Sequence, residues 1–376
     1  MREPPALSSS GLQRRLYLKR SLLLAAGAVW PGLAKSAAST QRDLLLGGGR
    51  FRPAPNQPMH FVLALADPAQ GQVQTIETDF FPHSVAFSPT RQSLLYSFEK
   101  IGKGAALIDL DAKAVVKNIP PVKQRLFYGH GACSGDNQYL FSTETSPDGQ
   151  GAIGIRDPKT LEYLGDFPSY GMNPHECRLV ENDKVLMVSN GGGTSDSSQP
   201  GALCYIDIAT QKLLQRAEMP DPRFNTGHLY PLGQRQALVI SAPRQGLDET
   251  HPGTVSAFTG QGSLQPARLP PELQQALSGE ALSIAVIAER DLFIVTHPTP
   301  GLLSFWSIST LQYRGHMPLP YARGVALAAD RQSVWISYGQ HASIRRLDLD
   351  SLRLSEQIAV AESAITGSHL VNLALL

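Results

Sequence analysis

A pattern of four short β-rich runs recurs along most of this chain, and it limits the fold more than any other feature. The stretch that begins at Pro82 reads as strand, turn, strand, loop, strand, turn, strand, and the stretches from Gly129 and Pro174 repeat that order. Looser copies begin near Gly227, Leu282 and Ala322. Successive copies are roughly 40–55 residues apart, which is the period of a four-stranded propeller blade. The repeat therefore predicts six blades of an all-β β-propeller.

The two ends of the chain supply the strands of a seventh blade. The run from Gly367 reads as a first strand, and the runs from Asp43 onward read as second, third and fourth strands. Joined, they close the ring and remove its unpaired sheet edges. We therefore predict a seven-bladed propeller in which N- and C-terminal strands share one blade. A two-domain β-sandwich, the alternative, leaves both end fragments unexplained. Only "PELQQAL", from Pro271 to Leu277, has a helical pattern.

The first 39 residues have the pattern of an export signal. Two adjacent arginines, Arg14 and Arg15, precede an apolar run and then a stretch of small residues. This order of charged, apolar and small-residue regions is typical of a secretory signal. Paired arginines before an aromatic residue, a leucine and a lysine indicate the twin-arginine variant. We expect residues 1–39 to be removed and residues 40–376 to form a single propeller domain in the periplasm; a membrane-anchoring N-terminus is the alternative.

Composition excludes several classes of function. The 33 basic and 32 acidic residues are scattered and leave a net charge of +1, which argues against nucleic acid or an anionic membrane as the main partner. No later segment approaches the ~18 apolar residues that span a bilayer, so we expect no membrane span in the mature protein. We also expect a monomer. Sequence motifs for a P-loop, a CxxC pair, an HExxH zinc site or a nucleophile elbow are absent.

The three cysteines are too few for a disulfide framework. We expect Cys133, Cys177 and Cys204 to be buried thiols that pack within strands. A single Cys133–Cys177 bond is the alternative.

Five of the ten histidines recur at one place in the repeat, at the start of the first strand. They are His83, His130, His175, His228 and His369. The first strand of a blade lines the central channel, so these side chains should meet at one mouth of it. Imidazole is the commonest protein ligand for Zn, Cu and Fe, and we predict a site for a transition metal such as iron.

The register of these histidines is uneven, and this leaves a second interpretation open. Counted back from the second strand, His130 sits one residue later than His83 and His175. A slip of one residue points a strand side chain to the opposite face. The alternative is that each histidine only hydrogen-bonds a neighbouring turn.

Polar residues at the same mouth are candidates for binding a ligand. Second strands end there at Glu144, Asn190, Arg244 and His297, before long glycine-rich loops in two of the blades. Arg323 takes the place of a histidine in one blade and suits an anion through forked pairing. Glu144 and Glu176 are candidates for acid–base groups or for orienting a histidine. The predicted ligand-binding residues are Arg323, Glu144, Glu176, Asn190 and Arg244.

The segment "NPHECRLV" contains the most specific arrangement of these residue types. Pro174 should hold Asn173 in an extended conformation. If the strand alternates, His175 and Cys177 share the channel face, and Glu176 points the other way and can brace a neighbouring blade.

Three segments, at residues 129–144, 170–192 and 227–232, are similar to the signature segments of exported propeller proteins catalogued as domain of unknown function 1513. The resemblance covers nearly all of the mature chain and implies a seven-bladed YVTN/WD40-like propeller in the periplasm. Members are often found near imelysin-like and di-haem peroxidase-like proteins, which implies periplasmic iron-handling partners. The family implies no catalytic residues, because it has no established activity. The sequence departs from its pattern at Thr145-Ser146 and Asn225-Thr226.

These observations favour a periplasmic binding protein that holds a metal ion, or a metal-bearing ligand related to iron or haem, at the channel mouth. Two alternatives stay open. One is a propeller enzyme, either a hydrolase or lactonase or an oxidoreductase related to quinoprotein propellers. Such enzymes usually need clustered carboxylates for a metal, and this mouth is richer in histidine than in acid. The other is a protein-interaction platform without small-molecule chemistry.

Overall fold

The computed structural model describes residues 42–233 and 235–376, and the predicted export signal at residues 1–39 lies outside them. The domain boundary predicted at residue 40 therefore stays a prediction. Helix α1 (Pro271–Ala276) forms where the sequence predicts a helix, and two short 3₁₀ turns span Ala288–Arg290 and Leu373–Leu375. No helix in these two ranges is long and apolar enough to cross a membrane.

Almost all regular structure in the described residues is β-strand, as expected. The strands are β1 (Leu45–Phe51), β2 (His60–Asp67), β3 (Gln72–Thr78), β4 (Pro82–Ser88), β5 (Arg91–Gly102), β6 (Ala105–Asp109), β7 (Ala114–Asn118), β8 (Leu126–Cys133), β9 (Leu140–Thr145), β10 (Gln150–Arg156), β11 (Tyr163–Met172), β12 (Pro174–Val180), β13 (Val185–Asn190), β14 (Ala202–Asp207), β15 (Leu213–Glu218), β16 (Leu229–Gly233), β17 (Gln236–Ile240), β18 (Val255–Phe258), β19 (Gln265–Pro266), β20 (Ser283–Ile287), β21 (Leu292–His297), β22 (Leu302–Ser307), β23 (Tyr313–Pro318), β24 (Val325–Leu327), β25 (Ser333–Tyr338), β26 (Ser343–Asp348), β27 (Arg353–Leu354) and β28 (Val371–Asn372).

The strands form a β-propeller, but the predicted count of seven blades is wrong. The described strands give five separate four-stranded blades: β12–β15, β16–β19, β20–β23, β24–β27, and β28 with β1–β3. The other eight strands, β4–β11, belong to one continuous eight-stranded sheet. The physical reason lies in β5, which runs on past its partner β4. Its end pairs with β8 through Lys100↔Tyr128 and Gly102↔Phe127.

The blade built from both chain ends closes the propeller. The short strand β28 pairs with β1 through Leu45↔Asn372 and Leu46↔Val371. The Asn372 side-chain amide donates to the carbonyl oxygen of Leu327 at 3.0 Å, in the neighbouring blade. The backbone N–H of Gly367 donates to the carbonyl oxygen of Gly48 at 2.9 Å. Residues 367–372 thus contact both of the blades that meet where the ring closes.

The core lies between neighbouring sheets, where the middle strands of each are buried on both faces. Strands β13, β21 and β22 are buried along their whole length, which explains their near-continuous apolar sequences. Each cluster of buried apolar side chains joins two adjacent groups of strands. In one, Leu45 and Val62 pack with Trp335 and Ile344 across the closing joint. Within the eight-stranded sheet, β5 and β6 pack against β8 and β9.

A hydroxyl near the end of several second strands fixes the inner strands around the channel. The Thr143 hydroxyl donates to the carbonyl oxygen of His130 at 3.1 Å. The Ser189 hydroxyl donates to the carbonyl oxygen of Gly227 at 2.6 Å and accepts from the N–H of Glu176 at 3.0 Å. Equivalent bonds are made by Ser97, Thr296 and Ser337. The backbone that carries the histidines is therefore held by buried hydrogen bonds.

Candidate metal centre

A β-bulge lies at three of the five predicted histidines. In β4, His83 is the extra residue between the pairs Pro82↔Glu99 and Ser84↔Phe98. In β8, residues 128–130 all lie opposite Thr143, so this bulge is one residue longer. Bulges re-aim side chains and are common beside functional sites. Despite the one-residue displacement of His130 in the sequence, its ring centroid lies 5.1 Å from that of His83.

The bulge in β12 overturns two expectations for "NPHECRLV". Asn173 is not extended but left-handed, with φ 53°, a conformation that Asn tolerates better than most residues. His175 and Cys177 do not share a face, because the register shifts between Pro174 and Cys177. Cys177 packs in the apolar core, whereas His175 reaches the channel. The predicted bracing by Glu176 is present, since its Oε2 accepts from the N–H of Leu229 at 2.8 Å.

Five imidazole rings converge at the centre of the propeller. Ligand nitrogens of His83, His130, His175 and His228 all lie within 4.8 Å of one another. The ring of His369 packs against these, with its centroid 4.3 Å from that of His228 and 4.8 Å from that of His130. The five predicted metal-ligand histidines are thus brought together from five different inner strands or the residues before them.

Most of these rings lack any protein partner for one nitrogen. Nε2 of His83, His130, His228 and His369 is buried and has no hydrogen-bond partner among the described residues. A buried polar atom left unpaired costs about 1–3 kcal/mol. Burial also holds the pKa of His83, His130, His175 and His369 well below its usual value, and that of His228 at about 4. The rings are therefore neutral at physiological pH and can offer lone pairs to a metal ion.

The tautomer of His228 follows from its hydrogen bond. Its Nδ1 lies 2.5 Å from the carbonyl oxygen of Leu282, and a carbonyl can only accept. Nδ1 therefore carries the proton, and Nε2 presents its lone pair to the cluster. A backbone carbonyl that orients a histidine in this way is the usual second partner of a metal-bound imidazole.

A cavity of about 780 Å³ opens directly onto the cluster. His175 and His228 form part of its lining, so the cluster is accessible from this side only through two of its rings. Asn173 and Asn225, one from each of two loops between blades, also line it. This volume is in the range of sites that hold small organic ligands. The site thus combines a buried donor set with an open approach.

Lys100, Tyr128 and Glu280 are among the polar residues of this cavity that the sequence did not predict. Lys100 reaches water through the open cavity although protein surrounds it, and this burial lowers the pKa of its ammonium. Burial raises the pKa of the Tyr128 phenol to about 12. Lys100 could have been found from its position in the repeat. It lies three residues after Ser97, near the end of a second strand, and the other second strands end at the same mouth of the channel.

Three of the predicted ligand-binding residues form hydrogen bonds with other parts of the protein and do not face the cavity. Glu144 is fully buried and accepts from Arg156 at 2.7 Å. The Asn190 side chain exchanges hydrogen bonds with Ser169. The Arg244 guanidinium donates only to backbone carbonyls and holds the loop after β13 in place. None of the three lines the cavity.

Of the other two predicted residues, Glu176 lies beside the cluster and Arg323 lines a different cavity. Glu176 Oε1 is 3.9 Å from Nδ1 of His130 and pairs with Arg178 at 2.6 Å. Arg323 lines a smaller neighbouring cavity of about 320 Å³, and its Nε has no partner among the described residues. His297, at the end of its second strand, instead bonds Ser304 at 2.8 Å.

All three cysteines are free thiols; Cys177 and Cys204 are buried as expected, whereas Cys133 is only partly buried. Burial raises the pKa of Cys133 and of Cys177 to about 12, and that of Cys204 to about 11. Such thiols stay protonated and are poor metal ligands. The donor set at the centre is therefore imidazole alone.

Comparison with known proteins confirms the family resemblance and the propeller fold. A family model described as protein of unknown function (DUF1513) matches residues 81–371. Similar solved structures include the hydrazine synthase of Kuenenia stuttgartiensis, with a TM-score of 0.60 at 12% identity over 78% of this chain and 93% of that one. The periplasmic gluconolactonase PpgL of Pseudomonas aeruginosa has a TM-score of 0.59 at 15% identity, covering 85% of this chain and 97% of the other. No curated protein matches the sequence.

Proposed function

This chain belongs to the DUF1513 family of proteins of unknown function, and we propose that it binds one transition-metal ion at the five-histidine cluster. The observation that carries the proposal is that His83, His130, His175 and His228 each offer one ligand nitrogen within 4.8 Å of the others, while Nε2 of three of them, His83, His130 and His228, is buried without a hydrogen-bond partner among the described residues. A histidine that only ties two turns together would direct its nitrogens to those turns. Here the buried Nε2 atoms of His83, His130 and His228 bond no turn among the described residues.

The dimensions of the cluster support a single ion. Metal–nitrogen bonds of about 2.1 Å place two nitrogens on the same ion at most about 4.2 Å apart. The ligand nitrogens of four histidines lie at most 4.8 Å apart, so small side-chain shifts would bring them to this separation. Imidazole ligands suit Zn, Cu, Fe and Ni, and affinities among divalent ions generally peak at Cu²⁺. We propose a divalent first-row ion and include iron within that class.

A haem is a poorer match to this centre than a bare ion. The ring centroids of His175 and His228 are 4.6 Å apart, and those of His83 and His130 are 5.1 Å apart. A macrocycle does not fit between rings that already touch.

The test compares His175→Ala with the matched variant His341→Ala, whose imidazole is exposed and lies outside the cluster. Chelator-treated proteins are titrated with Zn²⁺, and bound metal is counted after dialysis. We expect about one ion per chain, and an at least tenfold weaker affinity, about 1.4 kcal/mol, for His175→Ala only. The metal-free variant should keep its fold. Loss of thermal stability with unchanged affinity would favour a histidine that only supports the loops.

A second candidate function is hydrolysis at the same centre. Catalytic metal sites keep a coordination position open for water, and the cavity above His175 and His228 provides access to one. The similar structure named a gluconolactonase suggests the first compound to try. Metal-dependent hydrolysis of gluconolactone that His175→Ala abolishes would support an enzyme, and no turnover by the metal-loaded protein would leave the binding function.

We propose further that the protein works in the periplasm as a monomer. The twin-arginine pattern at Arg14 and Arg15 supports the periplasm, and the monomer is kept as the expectation from the sequence. Iron-handling proteins of the same compartment are the proposed partners, on the grounds of the family context alone.

A further inference from the structure

Metal at this centre leaves an unbalanced positive charge, and this inference rests on the function proposed above. Histidine coordinates a metal ion as a neutral imidazole, so these ligands do not offset the charge of a divalent ion. The nearest carboxylate, Glu176, already pairs with Arg178 at 2.6 Å and accepts from the N–H of Leu229. Uncompensated charge in a buried site is costly. The centre therefore favours a ligand that brings a negative charge from the cavity.

Lys100 adds a second positive charge on the cavity wall. It has no carboxylate within ion-pair distance in the described ranges 42–233 and 235–376. Lys100 lines the same cavity as His175 and His228, and its strand partner Tyr128 has its ring centroid 6.3 Å from that of His175. An anion placed between the cluster and Lys100 would meet both positive charges.

The backbone next to Lys100 has a strained conformation. The next residue, Ile101, is exposed on the cavity wall and has φ 58°. A β-branched residue in the left-handed region is an outlier that persists only where the surroundings enforce it. The pairs on either side, Lys100↔Tyr128 and Gly102↔Phe127, enforce it here. Such strain is typical of ligand-binding segments.

The rest of the cavity lining restricts the class of anion. Ile101, Leu126 and Met172 give it an apolar part, which suits an organic molecule. Asp148 and Glu280 also line it, and their repulsion is about twice as strong for a ligand with two negative charges as for one with a single charge. We propose that the cavity binds a small organic monocarboxylate, whose carboxylate lies between the metal ion at the histidine cluster and the ammonium of Lys100.

The test uses the full protein loaded with Co²⁺, whose visible spectrum reports on its ligands. Propionate is the probe, propionamide is its uncharged control, and sulfate is the dianion. Lys100→Met removes the ammonium and keeps the chain length, and Lys103→Met is the matched control because Lys103 is exposed and lies outside the cavity lining. Bound cobalt is measured first in each protein.

We expect propionate, and neither propionamide nor sulfate, to change the cobalt spectrum. Its affinity should fall about tenfold or more in Lys100→Met and stay the same in Lys103→Met, with cobalt content unchanged in both. A cobalt-loaded protein whose spectrum ignores propionate would overturn this inference while leaving the metal site standing. Three other results would also overturn it: the same propionate affinity in Lys100→Met as in the wild type, tighter binding of sulfate than of propionate, or propionate binding that is equally strong in the metal-free protein. Failure to take up cobalt would instead overturn the proposed function, and the bridging carboxylate with it.

Discussion

Gly129 lies directly against the ring of His83: a Cβ at Gly129 would be 2.5 Å from Cδ2 of that imidazole. Gly129 also has φ 108°, which residues with a side chain rarely adopt. It belongs to the bulge of β8 that carries His130. Two of the five rings therefore depend on one residue without a side chain.

We predict that Gly129→Ala lowers both stability and metal affinity. The strained backbone should cost about 1–3 kcal/mol, and the displaced ring of His83 should weaken Zn²⁺ binding at least tenfold. Denaturant unfolding and metal titration measure the two effects.

The matched control is Gly339→Ala, because Gly339 has φ 74° but open space around its Cβ position. This variant should lose stability through its backbone and keep its metal affinity. Equal metal affinity in both variants would show that the contact with His83 has no influence on the site.

Stability of the metal-free protein should fall as the pH falls below about 6.5. In the unfolded chain these histidines take up protons near 6.5, whereas burial keeps the pKa of His228 at about 4 in the folded state. The unfolded state then binds more protons across this window, so the free energy of unfolding decreases as the pH drops. Each buried histidine contributes a slope of up to about 1.4 kcal/mol per pH unit.

Denaturant titrations between about pH 7 and pH 5 measure this slope. The slope of the His175→Ala variant should be smaller than that of the wild type by up to about 1.4 kcal/mol per pH unit, because one buried histidine is removed. A stability that does not change over this range would mean that the folded cluster can be protonated as easily as the unfolded chain.

Removal of residues 367–376 should unfold the propeller. The deletion takes away β28, the Asn372 contact with Leu327 and the ring of His369. It also opens two sheet edges and exposes apolar surface. A shorter deletion of the exposed Leu375 and Leu376 is the control and should change stability by no more than about 0.5 kcal/mol. Unchanged thermal melting of the longer deletion would contradict a ring closed by its ends.

Replacement of Arg14 and Arg15 by lysine should keep the protein in the cytoplasm. The twin-arginine receptor reads the arginine pair itself, so a change that preserves the charge should still block export. Cell fractionation with antibody detection measures how much of the protein reaches the periplasm. The control is Arg20→Lys, in the same segment. Normal delivery of the double variant to the periplasm would indicate the general secretion route.

The strands could be predicted because their signals are local. Alternating apolar residues and turn residues mark each strand, and the repeat gives its order. The joining of β4–β11 into one sheet could not be predicted, because it depends on three residues, Lys100 to Gly102, that pair with a strand of the next repeat. Nothing in the pattern before them distinguishes this second strand from the others.

The histidines could be predicted because a repeat places equivalent residues at equivalent points. The bulges that aim them could not, since a bulge is fixed by the pairing of two strands rather than by one. The same repeat logic misplaced Glu144 and Arg244. Position in a repeat gives the end of a strand, but it does not tell whether neighbours will fill the space and hydrogen-bond the side chain.

The shared blade sets an order of events for the histidine cluster. His369 is the last of the five rings to be synthesised, and it precedes β28, which pairs with β1 at the start of the fold. The full set of rings exists only after the ribosome has passed residue 369 and the first and last blade strands have met. An ion that needs all five rings would therefore bind only after the two ends have met, whereas a zinc finger folds around its ion. A chain that terminates before residue 369 would offer at most the four rings of His83, His130, His175 and His228.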